Sequence, residues 1–351
     1  MTAPDRGARK RVAVTGAHDL VAASLLRVLE ERDFPVEDLR ALTDAAVDGD
    51  EVDAPQWRGE AVLLESAADA DLSGLDLLFL CPPCRDAESL LERAVDAGAQ
   101  VIDLIGVDRG LDELLLATPD LDLPDGARAR SEPDPEARVH RNPDPLALIV
   151  AMAILPLARA GGLSSLRAQL LLPASTLGEP GVRELAGQAE NLFNQRELPQ
   201  AVYGRQIAFN LLSGSAAPAE PLPAAGRDLA ALLGDFDAPS DLRATWVSVF
   251  FGCAATLWVE TSELLPTEQV RELLRTAPGL FLSDAAGDDG VCPNPVEHAL
   301  DSDAVHVTLL GVDHASRRGH VLWVVADDIR RGRALNAVRI AECLLSAEVA
   351  T

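Results

Sequence analysis

Three short segments hold the residue types that could do chemistry. Cys81-Pro-Pro-Cys84 sets two thiols between an apolar run and a helical pattern, the spacing of a dithiol that a helix terminus can activate. Gly16-Ala17-His18-Asp19-Leu20-Val21-Ala22 follows the apolar run Arg11 to Thr15 and opens a stretch in which Val21, Leu25, Val28 and Leu29 share one helical face. In that setting a glycine turn can bring backbone N–H groups to a pyrophosphate. Asn142-Pro-Asp-Pro-Leu-Ala147 starts another helix, with Asp144 suited to its cap and Pro145 to its first turn. Each segment also has a plainer reading. The cysteines are a chance pair of loop residues, with no second pair to complete a zinc site. His18 is a solvent-exposed turn residue, and Asp144-Pro145 is simply a strong helix start.

The elements that must position these residues alternate. Strands over Arg11 to Thr15, Leu39 to Thr43, Leu75 to Leu80 and Gln100 to Leu104, with helices after Gly16 and over Asp86 to Ala97, predict a parallel, doubly wound, Rossmann-like sheet. Thr118 to Ala137 is rich in Pro, Asp and Gly and marks a solvated loop or boundary. A second, α+β domain starts near Asn142, with helices over Pro145 to Ala160 and Pro180 to Asn194 and a loose loop over Ser213 to Ala225. Strands over Ala244 to Phe251, Thr256 to Thr261, Val305 to Leu310 and Val321 to Ala326 predict a mixed sheet, and Ala334 to Leu345 a closing helix. The expected division is 1–141 completed by 326–351, and 142–325.

The 351 residues suffice for two cores. With 56 acidic against 30 basic residues the formal charge is -26, and Lys10 is the only lysine. Such a surface repels nucleic acid and anionic lipid, so neither is expected as a partner. The N-terminus lacks the apolar core of a secretory signal, and the longest apolar run, Leu146 to Ala158, is shorter than the ~20 residues that span a bilayer. Five scattered cysteines do not suggest a disulfide framework. A cytoplasmic protein without membrane segments is expected.

Leu29-Glu-Glu-Arg-Asp-Phe-Pro-Val36, Tyr203-Gly-Arg-Gln-Ile-Ala-Phe-Asn210, and Trp323-Val-Val-Ala-Asp-Asp-Ile-Arg-Arg-Gly332 followed by Ala334-Leu-Asn-Ala-Val338 resemble the aspartate-semialdehyde dehydrogenase family. The likeness runs over nearly the whole chain and is nearest to the Usg-type branch, whose members do not all keep the catalytic residues. It implies an NAD-binding domain, a dimerisation and substrate domain over 142–325, a final helix completing the first domain, and a homodimer. The family reduces aspartyl phosphate with NADPH: a cysteine thiolate at a helix N-terminus displaces phosphate, hydride reduces the thioester, and a histidine moves protons.

Carried over position by position, the resemblance places Pro145 where the family has its cysteine, and proline has neither a nucleophile nor a backbone N–H. The acyl-orienting glutamine becomes Leu172, while Ser175 and Gly178 remain. The substrate arginine becomes Ser248 and the histidine Cys253, in a segment about two residues shorter. Cys253 lies in an apolar run and reads as a buried thiol. Of the cofactor turn Gly-x-x-Gly-x-x-Gly only Gly16 survives. Asp19 adds a carboxylate that would cost about 3 kcal/mol against each phosphate charge at ~5 Å and an effective dielectric near 20. Thr43-Asp-Ala-Ala-Val-Asp48 supplies carboxylates where the family binds the NADP 2'-phosphate, which favours NAD over NADP if either binds. The family's Asp-Asn pair becomes Asp327-Asp328, and Arg109 matches a phosphate-binding arginine or is a surface residue.

The expectation is therefore a homodimeric protein of this fold without dehydrogenase activity, serving a binding, regulatory or interaction role. No metal and no cofactor are expected, with weak NAD or NADP binding as the exception. Two alternatives stand beside it: an active NAD(P)-dependent oxidoreductase acting on an aldehyde or acyl phosphate, and a thiol redox switch at Cys81 and Cys84.

Overall fold

The computed structural model describes residues 9–44, 54–107, 116–214, 222–236, 238–283, 292–316 and 318–350. The chain divides into two compact units. One comprises Met1–Pro119, Ala129–Asp144 and Arg333–Thr351, the other Asp120–Arg128 and Pro145–Gly332.

The first unit runs β1 (Lys10–Val14), α1 (Leu20–Glu31), β2 (Val36–Thr43), a small hairpin of β3 (Gln56–Trp57) and β4 (Glu60–Ala61), β5 (Leu64–Ser66), β6 (Leu77–Leu80), α2 (Ala87–Asp96) and β7 (Gln100–Asp103). Three short strands follow: β8 (Leu116–Ala117), β9 (Ala129–Arg130) and β10 (Val139–Arg141). The sheet order is β5-β2-β1-β6-β7-β10-β8-β9. Every recorded pair in it is parallel. All four residues of β6 are buried, as a central strand covered on both faces requires. The order grows outward from β1 in one direction through β2 and in the other through β6. The topological switch point therefore lies at the carboxyl ends of β1 and β6, where the Gly16 turn and Cys81 begin.

The second unit begins with α3 (Pro145–Gly161), almost entirely buried, and β11 (Leu163–Leu172), then α4 (Gly178–Phe193), β12 (Leu211–Ser213), α5 (Leu222–Leu233), β13 (Ser240–Val247) and β14 (Cys253–Thr261). It continues through α6 (Thr267–Thr276), β15 (Leu280–Leu282), β16 (Val305–Val312) and β17 (Gly319–Ala326). Parallel and antiparallel pairs mix in the order β12-β13-β11-β14-β17-β16-β15. The inward residues, such as Leu166, Leu170, Leu257, Leu322 and Val324, are buried, and α3 packs on β11, β14 and β16. The opposite face leaves Trp258, Val321 and Trp323 half-buried and Leu310 exposed. A wide turn at Arg330–Leu335 leads into α7 (Asn336–Ala350), whose residues belong to the first unit.

Several boundaries differ from the sequence reading. The loop expected over Ser213 to Ala225 is overtaken at both ends: Ser213 belongs to β12 and Leu222 starts α5, while 215–221 lie outside the described residues. The strand expected over Ala244 to Phe251 occupies Ser240–Val247 instead. Beyond it the backbone serves another segment, with the Val249 and Phe250 carbonyls accepting from the Ala174 and Ser175 N–H groups. The short strands β8 and β9 carry too few residues for any periodicity to announce them.

Candidate functional site

In the first unit the switch point is built from three backbone features. Gly16 has φ +56°, and a Cβ there would lie 2.5 Å from the Pro82 carbonyl oxygen, so only glycine fits. The Thr15 hydroxyl donates to the Cys81 carbonyl and accepts from the Cys81 N–H, both at 2.7 Å, locking the two strand ends together. Asp19 caps α1 in extended conformation, its Oδ1 accepting from the Leu20 N–H at 2.6 Å, and it is 7% exposed. A carboxylate thus already sits on the helix end that would receive an anion.

Around this turn, Ala17, Leu20, Val21 and Ala22 pack as an apolar to half-buried helix start. His18 was expected to face solvent; it is half-buried, its Nδ1 3.0 Å from the hydroxyl of buried Thr43. Thr43 lies deep at the end of β2, so its side chain pairs with that imidazole. Arg109 and Asp48 lie outside the described residues.

Cys81 is fully buried and Cys84 partly so, and both are unbridged. Burial pushes the Cys81 thiol far up, with the Arg333 charge opposing only in part. Cys84 is pushed up to about 12, by burial first and then by Asp44 and Asp86. The environment therefore suppresses both thiolates.

In the second unit the strand registers gather the remaining positions at one end of the mixed sheet. Leu172 ends β11 wholly buried, next to Cys253 at the start of β14, which pairs with Ala326 at the end of β17. Ser175 follows in a short turn, its N–H donating to Phe250, and Gly178 opens α4 at φ +69°. The Ser248 hydroxyl accepts the Phe209 N–H at 3.0 Å, so it fixes backbone. Cys253 is buried, and its thiol is pushed well up by burial, then by Asp328 and Asp327. Asp327 accepts from the N–H groups of Ile329, Arg330 and Asp301, and burial outweighs these bonds to raise its pKa. Asp328 is buried beside it. Pro145 begins α3 and is tightly covered: a Cβ on Gly332 would come within 2.5 Å of the Pro145 Cβ.

Sequence reasoning did not single out Asp103, Arg331 or Asn336. The Asp103 carboxylate is buried and takes the N–H groups of Ile105, Gly106 and Val107. Asn336 donates to Ala117 and Asn142. Arg331 is buried in an ion pair with Asp120 at 2.8 Å. Each is polar and buried; Arg331 and Asn336 meet their partners across more than 190 residues, Asp103 in the loop that follows it, and local patterning carries no trace of the burial. Among the described residues no group of three or more His, Cys, Asp or Glu is placed to hold a metal ion, and no helix is long and apolar enough to cross a membrane.

A Rossmann-like unit followed by a mixed-sheet unit defines the class of dinucleotide-fold proteins with a second, α+β domain. Residues 11–124 match the semialdehyde dehydrogenase NAD binding domain and residues 154–331 the semialdehyde dehydrogenase dimerisation domain. The USG-1 protein homolog of Azotobacter vinelandii is 31% identical over 348 residues, covering 95% of this chain and 97% of its own length. The aspartate-semialdehyde dehydrogenase of Streptomyces akiyoshiensis is 30% identical over 367 residues, covering 97% and 99%. Among solved structures, aspartate semialdehyde dehydrogenase II of Vibrio cholerae, complexed with ASA, superposes with a TM-score of 0.84 at 26% identity, covering 97% of this chain and 99% of that one. The chain belongs to the semialdehyde dehydrogenase family.

Proposed function

We propose that this family member is a catalytically inactive, Usg-type relative of aspartate-semialdehyde dehydrogenase that serves a binding or regulatory role as a homodimer. The observation that carries this reading is Pro145 at the start of α3, the place the resemblance assigns to the attacking cysteine. A proline there supplies no sulfur, and Gly332 lies so close that a Cβ on it would meet the Pro145 Cβ at 2.5 Å. The other assigned positions carry Leu172, Ser248 and Cys253, of which the first is an apolar side chain, the second a backbone anchor and the third a buried thiol held protonated.

The dinucleotide turn fits its ligand poorly. A pyrophosphate needs the α1 N-terminus, where Asp19 already accepts the Leu20 N–H. One like-charge contact of about 3 kcal/mol corresponds to roughly two orders of magnitude in affinity, so NAD or NADP binding is weak. Dimerisation would use the sheet face that carries Trp258, Val321, Trp323 and Leu310, because the helices cover the other one.

The decisive experiment titrates the purified protein with NAD, NADH, NADP and NADPH, then assays phosphate-dependent oxidation of aspartate semialdehyde on the same sample. Weak or absent binding and no turnover are expected; tight binding with turnover would establish the active oxidoreductase instead. That second reading draws on the relatives named as dehydrogenases. The thiol switch is disfavoured by the upward shift of both Cys81 and Cys84. Light scattering tests the dimer separately, and a monodisperse monomer would contradict it.

A further inference from the structure

A cavity of about 360 Å³ opens in the second unit beside the carboxyl half of α3, within the size range of small-ligand sites. Met152, Leu155 and Leu273 form apolar walls, and the charged lining residues are Asp120, Asp122 and Arg159. Behind the lining residue Asp120, Arg331 is wholly buried and donates through Nη2 to the Asp120 carboxylate at 2.8 Å, while its Nε and Nη1 meet no acceptor among the described residues. At the mouth, Arg159 pairs with Asp122 at 3.1 Å, and both are substantially exposed. Pro156 also lines the cavity, and having no N–H it cannot return the helical hydrogen bond to the Met152 carbonyl. The site thus offers guanidinium donors and carboxylate and carbonyl acceptors together, around an apolar interior.

We propose that this cavity binds a small zwitterion with an apolar side chain, an α-amino acid of the size of leucine or methionine. The carboxylate would meet Arg159, and the ammonium the Met152 carbonyl with Asp120 and Asp122. The side chain would lie against Leu155 and Leu273. Two acids, one of them already paired with Arg331 behind it, and one arginine on the lining complement neither a simple anion nor a simple cation, whereas a zwitterion matches both signs at once. The site stands apart from the lost catalytic position: Pro156 lies ~16 Å along α3 from Pro145 at 1.5 Å per residue. It does not depend on whether the protein is an enzyme.

The test is calorimetric titration of the full chain with L-leucine and L-methionine. The controls are 4-methylpentanoate, which lacks the amine, 3-methylbutylamine, which lacks the carboxylate, and glycine, which lacks the side chain. Saturable binding of at least one of the two amino acids is expected, with each control at least about tenfold weaker, the scale of one lost charge-assisted hydrogen bond or a lost apolar contact. Arg159→Gln, at a half-exposed position, and Leu273→Trp, which fills the cavity, should each weaken binding by about tenfold or more. Unchanged circular dichroism and thermal midpoint of the unliganded variants would show that they fold. No saturable binding of either amino acid, equal binding of 4-methylpentanoate, 3-methylbutylamine or glycine, or full affinity in the folded Arg159→Gln protein would overturn the proposal.

Discussion

Gly332 and the cysteines show how much rests on single atoms. Gly332→Ala would press a methyl group onto Pro145 at 2.5 Å. Overpacking of this kind costs about 1 to 3 kcal/mol, so the thermal midpoint should drop by several degrees. If the midpoint is unchanged, Pro145 is not held in place as described. The thiols should divide by burial: under brief iodoacetamide treatment at neutral pH, mass spectrometry should find Cys292 labelled first and Cys81 and Cys253 untouched until the chain unfolds. Rapid labelling of Cys81 or Cys84 would revive the redox alternative. His18 shows why a residue in a turn is hard to read from its neighbours. Nothing local announces that Thr43, on another strand, takes up its ring.

Among the elements, α4 depends most on partners distant in sequence. Gln188 is wholly buried; its Nε2 donates to the carbonyls of Pro199 and Arg205, and its Oε1 accepts from Ile207 and Ala208. One turn earlier, Glu184 accepts the Val202 and Tyr203 N–H groups. Together they hold the segment 199–208, which has no ladder of its own. Gln188→Leu would strand four backbone groups and should destabilise the unit by about 3 to 5 kcal/mol, with hydrogen exchange accelerated first in 202–208. Exchange that stays slow there would show that other contacts carry the segment. The amphipathic start of α1, the proline at the head of α3 and the buried run of β6 were legible because each rests on local periodicity or capping chemistry. α5 was hidden by its Ala- and Pro-containing start, which reads as loop until the helix finds β13 and α3 to pack against.

The whole molecule carries a formal charge of -26, which acidification reduces, relieving self-repulsion. Three histidines, two buried and one half-buried, act in the opposite direction. His140, His306 and His320 are all held below the ordinary 6.5 by burial, with His298 adding to the effect at His306. Each binds its proton less readily in the fold than once unfolded. Their contribution is fully present above pH 6.5 and is lost as pH falls through the folded values. Asp327, raised by burial, has the reverse sign, its penalty easing as it is protonated. The thermal midpoint should therefore decline on acidification below about 6.5, and His140→Gln should flatten the decline. A midpoint that rises steadily over that range would mean that relief of surface repulsion dominates.

The amino-acid sequence alone determined the alternation of strands and helices and which side chains stand at the chemically sensitive positions, because periodicity, capping and residue identity are local properties. Only the tertiary structure decided which polar groups are buried and what they pair with: Asp327 with three backbone N–H groups, Gln188 with a remote loop, Arg331 with Asp120 across 211 residues. Burial and long-range pairing arise when separate elements pack, and the free energy of a charge or thiol depends on that surrounding dielectric, which no window of neighbouring residues contains.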